Sequence, residues 1–195
     1  SLMNTPISYS PETYKKNDGE LNSTLSNMFA DATYEMSNPV FNKMSGENID
    51  IVLLNNGGIR SIISKGNISE KTAFELMPFE NSIVVLELNG LSIIKMIDYL
   101  RKVKLQHPIS GLQITLNNDY SVNEVKINGV SIENEKKYYV ATTDYLLEGG
   151  DKMYFLAETT KTTDINYKMR DILIDYFKKY DTLKLKSDNR FIRIK

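Results

Sequence analysis

Asp50-Ile51-Val52-Leu53-Leu54-Asn55-Asn56-Gly57-Gly58-Ile59-Arg60 is an apolar run that stops abruptly at two asparagines and two glycines. Four consecutive large aliphatic residues without polar alternation predict a short strand buried on both faces. The break after it is a place where a ligand can approach the main chain. Glycine has no Cβ and permits positive φ, so Gly57 and Gly58 are expected to fold the chain tightly beneath a small molecule. Arg60 then offers a planar fork of donors suited to phosphate or carboxylate. Taken alone, the stretch from Asn55 to Arg60 reads equally well as a Gly-rich turn with a solvated arginine.

Upstream, residues 1–18 are polar and read as an extended lead-in that closes in a Lys15-Lys16-Asn17-Asp18-Gly19 turn, with residues 19–195 as one domain. Leu21, Leu25, Met28, Phe29, Ala32 and Met36 recur at spacings of three and four and predict a helix from about Leu21 to Met36, with Asn38-Pro39 in a loop soon after. Downstream, Arg60 to Ile63 is expected to continue as a short strand before a Lys65-Gly66-Asn67 turn. Ser69 caps a short helix that ends before Pro78, with Glu70 in its first turn. Ile83 to Leu88 reads as a strand, Asn89-Gly90 as a turn, and the stripe from Ile93 to Leu100 as a helix running to about Val103. Leu112 to Leu116 and Val125 to Ile127 alternate at period two, and Asn128-Gly129 is a hairpin signal. Tyr138 to Thr142 reads as a strand, Ile165 to Phe177 as a helical stripe, and Phe191 to Ile194 as a last strand. The mixture is an α+β fold.

A length of 195 residues suits one domain with a sizeable core, and 41% hydrophobic with 25% charged residues indicates neither disorder nor a membrane span. No run approaches the length of a transmembrane helix. A net charge of -1 with scattered lysines and arginines provides no field for a polynucleotide. The absence of cysteine excludes disulfides, thiolate metal sites and a cysteine nucleophile. His107 is the single histidine and reads as structural; its solitude leaves little from which to build a zinc or dinuclear hydrolytic centre. Neither a G-x-S-x-G elbow nor a Walker A loop is present. Ser1-Leu2 ahead of Met3 reads as an added remainder on a trimmed start, which leaves removal of a signal or lipoprotein peptide open.

Two further stretches carry possible chemistry. In Met77-Pro78-Phe79-Glu80-Asn81 the proline fixes the chain after a helix, and Phe79 is either a stacking platform or a core plug. In Thr143-Asp144-Tyr145-Leu146-Leu147-Glu148-Gly149-Gly150-Asp151 an aromatic precedes a glycine pair and a carboxylate. Tyr145 can face a planar base and Asp151 can accept from sugar hydroxyls; the alternative is a Gly-Gly-Asp turn with a solvated acid.

In this order, Asn55 to Arg60, Pro78-Phe79-Glu80-Asn81 and Glu148-Gly149-Gly150-Asp151 resemble the C-terminal domain of the 5'-nucleotidase and UDP-sugar hydrolase family. Ser26-Asn27-Met28-Phe29-Ala30-Asp31-Ala32 resembles its early helix, and Ser110-Gly111-Leu112 its central strand entry. The resemblance implies a mixed sheet between helix layers, and a nucleotide or nucleoside as ligand. It implies that Asn55 touches the base, Arg60 the phosphate side and Asp151 the ribose hydroxyls, with the base between Phe79 and Tyr145, Asn81 at the ligand edge, and Gly57, Gly58, Gly149 and Gly150 shaping the turns. No catalytic residue, metal ligand or cofactor is expected in this chain. Divalent metals and phosphate-ester hydrolysis belong to a metallophosphoesterase domain, removed or in another chain, so the chain alone is expected to be inactive. The alternatives are a non-enzymatic nucleotide or nucleoside binder and a degenerate interaction module. A role in nucleotide catabolism and a periplasmic or cell-surface location follow from the same analogy.

Three positions depart from the family pattern. Gly19-Glu20-Leu21-Asn22 lacks the arginine that commonly holds phosphate, which predicts weak phosphate affinity. Glu80 stands where glycine is frequent and is expected to bring negative charge towards an anionic ligand. Lys152 follows Asp151 where a further glycine is usual, which bears on the backbone path there.

Overall fold

The computed structural model describes residues 2–195; Ser1, part of the remainder read above, lies outside them. Its strands and α-helices run β1 (Ser8–Ser10), α1 (Thr24–Ser45), β2 (Ile51–Leu53), β3 (Gly66–Ile68), α2 (Glu70–Leu76), β4 (Ser82–Asn89), α3 (Gly90–Val103), β5 (Ile109–Ser110), β6 (Leu112–Leu116), β7 (Val122–Ile127), β8 (Lys137–Thr143), α4 (Asp144–Leu147), β9 (Thr162–Lys168), α5 (Met169–Lys179) and β10 (Phe191–Arg193).

A five-stranded mixed sheet in the order β5-β2-β8-β4-β9 forms the middle layer. Strand β2 is buried at all three residues, as its unbroken aliphatic run predicts. Its residues alternate between two cores. Val52 and Leu54 point with Val85, Ala141 and Ile83 towards α1, α2 and α5, whereas Ile51 and Leu53 join Val84, Leu86 and Val140 beneath α3 and the small sheet β10-β6-β7. Arg190 ties the last segment to both layers, donating to Asp31 of α1 at 2.8 and 3.0 Å and to the Ile109 carbonyl at 2.8 Å.

Register places three connections at one end of the sheet. Strand β2 lies parallel to β8, with Val52 beside Ala141, and β4 lies antiparallel to it, with Ile83 beside Thr143. The ends of β2 and β8 and the start of β4 therefore coincide. The three stretches singled out in the sequence are these connections.

Several expected boundaries shift. Helix α1 starts later than read because Ser23 is its N-cap, its Oγ accepting from the Ser26 N–H, and it continues through Pro39 to a left-handed Gly46. The proline is carried because Phe41 is buried beyond it and the Asn38 side chain holds the following segment, accepting from the Ile49 N–H at 2.8 Å. Gly66 and Asn67, read as part of a turn, form β3 with Ile68 against β1, so part of the lead-in is stitched into the fold by a pairing distant in sequence. Of the expected strand from Arg60 to Ile63, only Ile63 pairs, with Tyr14. Asn89 ends β4 and caps α3 directly, accepting from the Ser92 N–H at 3.0 Å, so no free turn separates them. Ile165 belongs to β9 rather than to the helical stripe. Asn128 and Gly129, both at positive φ, make the expected tight turn, but only Ile127 and Val130 close it, and the chain then leaves the sheet.

Gly90 has no room for a side chain: a Cβ there would lie 2.1 Å from the Glu133 carbonyl oxygen. Gly90→Ala must move backbone, and a loss of about 2 kcal/mol or more is expected in chemical denaturation, within the usual range for overpacking.

Candidate functional site

At the shared sheet end the three connections enclose a cavity of about 660 Å³, within the range of small-molecule sites. Its wall takes Asn55, Gly57, Gly58 and Arg60 from the connection after β2, Phe79 and Asn81 from the one before β4, and Tyr145 and Asp151 from the one after β8. Met77, Glu80 and Thr143 complete it. Gly149 and Gly150 are the two expected residues that do not line the wall.

The glycines act differently from the reading above. Gly57 and Gly58 sit in a 3₁₀ turn, Asn56–Gly58, without positive φ. Their value is small size: a Cβ on Gly58 would lie 3.2 Å from Asn55 Oδ1. Gly149 does need its left-handed conformation, with φ of 104°. Gly150 lies beneath Tyr145, and a Cβ there would come within 2.4 Å of the ring.

Each connection is held from behind. After β2, Lys16 Nζ donates to the Asn56 carbonyl at 3.2 Å and the Ile59 carbonyl at 2.9 Å, while His107 Nδ1 accepts from the Asn56 N–H at 3.0 Å. Burial, then the Arg60 charge, lowers the Lys16 pKa. Arg60 lies with its guanidinium carbon 5.7 Å from the centre of the exposed Phe79 ring, and no carboxylate pairs with it among the described residues. Before β4, the buried Arg170 donates to the carbonyls of Met77 and Phe79, each at 3.3 Å, and pairs with Glu80, which also receives Lys168. The hydrogen bonds from Lys168 and Arg170 hold the Glu80 carboxyl down to about 2. The expected negative charge is therefore present but neutralised by two cations.

After β8, Thr143 caps the single turn of α4, and Asp144 Oδ1 accepts from Asn81 Nδ2 at 3.0 Å, the Ser82 N–H at 3.3 Å and the Tyr145 N–H at 2.8 Å, joining two connections. Tyr145 donates to Asp151 Oδ1 at 3.1 Å, a bond that raises the phenol pKa and keeps it neutral. Asp151 and Lys152 both lie in the left-handed region, at φ of 55° and 59°. The lysine thus follows the backbone path expected of a glycine, at a conformational cost. Asp144, His107, Lys16 and Arg170 were not among the expected site residues. Most of their partners lie far away in sequence; Asp144 and Lys16 stood within quoted stretches and His107 was read as structural, but none was placed at the site.

The family described as 5'-nucleotidase, C-terminal domain, matches residues 5–158. The chain belongs to this family. It is 33% identical over 143 residues to the trifunctional nucleotide phosphoesterase protein YfkN of Bacillus subtilis, covering 66% of this chain and 10% of that one. It is 32% identical over 144 residues to the cell wall protein Lmo0130 of Listeria monocytogenes, covering 66% and 18%. The fold matches the 5'-nucleotidase precursor of Thermus thermophilus with a TM-score of 0.84 at 23% identity, over 99% of this chain and 40% of that one. The chain therefore spans a fifth or less of the two curated relatives.

Two outcomes follow from this geometry. Burial holds the His107 imidazole down to about 4, with Asp151 acting weakly the other way. Between the unfolded value near 6.5 and about 4 the unfolded chain binds the additional proton, so this contribution is full above pH 6.5 and lost as pH falls to about 4. Denaturation at several pH values should show a loss of about 3 kcal/mol across that window, absent from His107→Phe. Gly150→Ala should displace the Tyr145 ring with little change in thermal stability, since a surface ring can turn aside. A changed Tyr145 ring environment by NMR at an unchanged melting temperature is the expected signature.

Proposed function

We propose that this domain binds a nucleotide or nucleoside in the cavity between its three connections and presents it to a metallophosphoesterase portion for hydrolysis of the phosphate ester. The observation that carries this reading is the convergence of eight residues from three separate motifs on one cavity wall. Phe79 and Tyr145 are both exposed there and offer π-faces for a base. The Asn55 side chain makes no capping bond, which leaves an amide donor and acceptor for a base edge. Asp151 keeps acceptor capacity beyond its bond from Tyr145, suited to a pair of ribose hydroxyls. Arg60, without a carboxylate partner, is the group for phosphate.

Among the described residues no three His, Asp or Glu side chains converge closely enough to hold a metal ion. No metal-dependent step is therefore assigned to this chain. Its contribution is binding energy and placement of the scissile ester, and the activated water would come from the partner. One relative bearing the name of a nucleotide phosphoesterase supports the reaction class, and one named a cell wall protein supports a cell-surface or secreted location. No helix among the described residues is long and apolar enough to cross a membrane.

Calorimetric titration with adenosine, AMP and UDP-glucose tests the reading. At least one should bind, Asp151→Ala should abolish or sharply weaken it, and Phe79→Ala and Tyr145→Ala should each lose about 1–3 kcal/mol, the range for base stacking on an aromatic. Unchanged affinity in both aromatic variants would reduce the domain to an interaction module. Reconstitution with a cognate metallophosphoesterase should raise turnover, and no change there would remove the proposed division of labour.

A further inference from the structure

His107 lies between α3 and β5 and is 2% exposed. Because Nδ1 accepts the Asn56 N–H, the neutral ring carries its proton on Nε2, and that atom is buried without a partner. An apolar ring would avoid the loss of this unpartnered donor, so the acceptor at Nδ1 is what distinguishes histidine here. The Tyr99 ring of α3 lies 6.0 Å from His107, tilted by 32°, and is backed by Phe155 at 5.7 Å. The Tyr99 hydroxyl donates to the Asp151 carbonyl at 2.6 Å. A continuous path thus runs from the Asn56 amide through His107 and Tyr99 to the Asp151 carbonyl. Asp151 occupies the left-handed region, where a residue other than glycine persists when its surroundings fix it.

We propose that His107 and Tyr99 are positioning residues that form one strut between the connection after β2 and the connection after β8, setting the distance between the groups at Asn55 and at Asp151. The strut touches no ligand. Its effect on affinity rests on the nucleotide reading above, whereas its effect on the free chain does not. The strut acts through His107 Nδ1 on one side and the Tyr99 hydroxyl on the other, so either can be removed while its ring is kept.

The test uses His107→Phe, Tyr99→Phe, their double variant and His107→Asn, in which the amide oxygen restores an acceptor near the Nδ1 position. In ¹H–¹⁵N spectra of the free chain, His107→Phe should shift the amides of Asp151 and Lys152 as well as those of Asn56 and Gly57, and Tyr99→Phe should shift Asn56 and Gly57 reciprocally. His107→Asn keeps the acceptor but lacks the ring that meets Tyr99, so it should return the Asn56 amide towards its original position while the Asp151 amide stays shifted. Shifts confined to the neighbours of each mutated residue would overturn the strut. Should His107→Phe fail to fold, Tyr99→Phe alone decides by the same criterion. Titration with AMP and adenosine should show a loss of about tenfold for each single variant, on the scale of one hydrogen bond, and a double-variant loss well below the product of the two. Multiplicative losses, or none, would overturn the coupling. If the unmodified chain binds neither ligand, the nucleotide reading fails and the amide shifts still decide the strut.

Discussion

Strand β8 has a parallel neighbour on one side and an antiparallel neighbour on the other, and everything at the cavity depends on that choice. A parallel neighbour ends where β8 ends, and an antiparallel neighbour begins there. Three connections remote in sequence are thereby delivered to one edge by the strand order itself. The register is held by burial: β2 faces a core on each side, and a slip by one residue would exchange Val52 and Leu54 with Ile51 and Leu53 between two differently shaped cores. The sequence that ends in Asn55 and Gly57 is thus also the one that fixes where those residues stand.

Placement at one edge does not by itself make a rigid wall, because connections carry few ladder hydrogen bonds of their own. Here each is bonded to something behind it. Lys16 takes two carbonyls of the first, Arg170 takes two of the second, and Asp144 gathers three donors from the second and third. Most of these bonds go to the backbone, and none uses the side chains of Asn55, Arg60, Phe79 or Asp151, which line the cavity. A ligand meeting them would order little of the protein on binding, and that is where affinity is gained from a preformed site.

The strands and helices built from local pattern were legible: the aliphatic run of β2, the Ser69 cap, and the stripes of α3 and α5. The misses have a common cause. Strands β1 and β3 exist through a pairing between distant residues with weak strand character, and α1 passes Pro39 because tertiary packing outweighs one missing hydrogen bond. The cavity wall was legible because its motifs are short and contiguous. The groups that hold it were not, since His107, Tyr99 and Arg170 meet their partners only after the sheet has formed. Gly57 and Gly58 were found for the wrong reason: glycine suggests unusual φ, and nothing local says that here it supplies room instead.

Charge gives the cavity a direction. Arg60 has no carboxylate partner among the described residues, and Lys16 lies close enough for the two charges to oppose each other. Asp151 stands in the connection after β8, bonded to a neutral phenol. Glu80, which would blur this polarity, is taken up by Lys168 and Arg170. On the proposed reading Arg60 takes the anionic group of the ligand and Asp151 its neutral hydroxyls. Reversing it would set anion against carboxylate and leave Arg60 unpaired in the wall. On that reading the anionic group stands beside Arg60, where a partner domain would have to reach it.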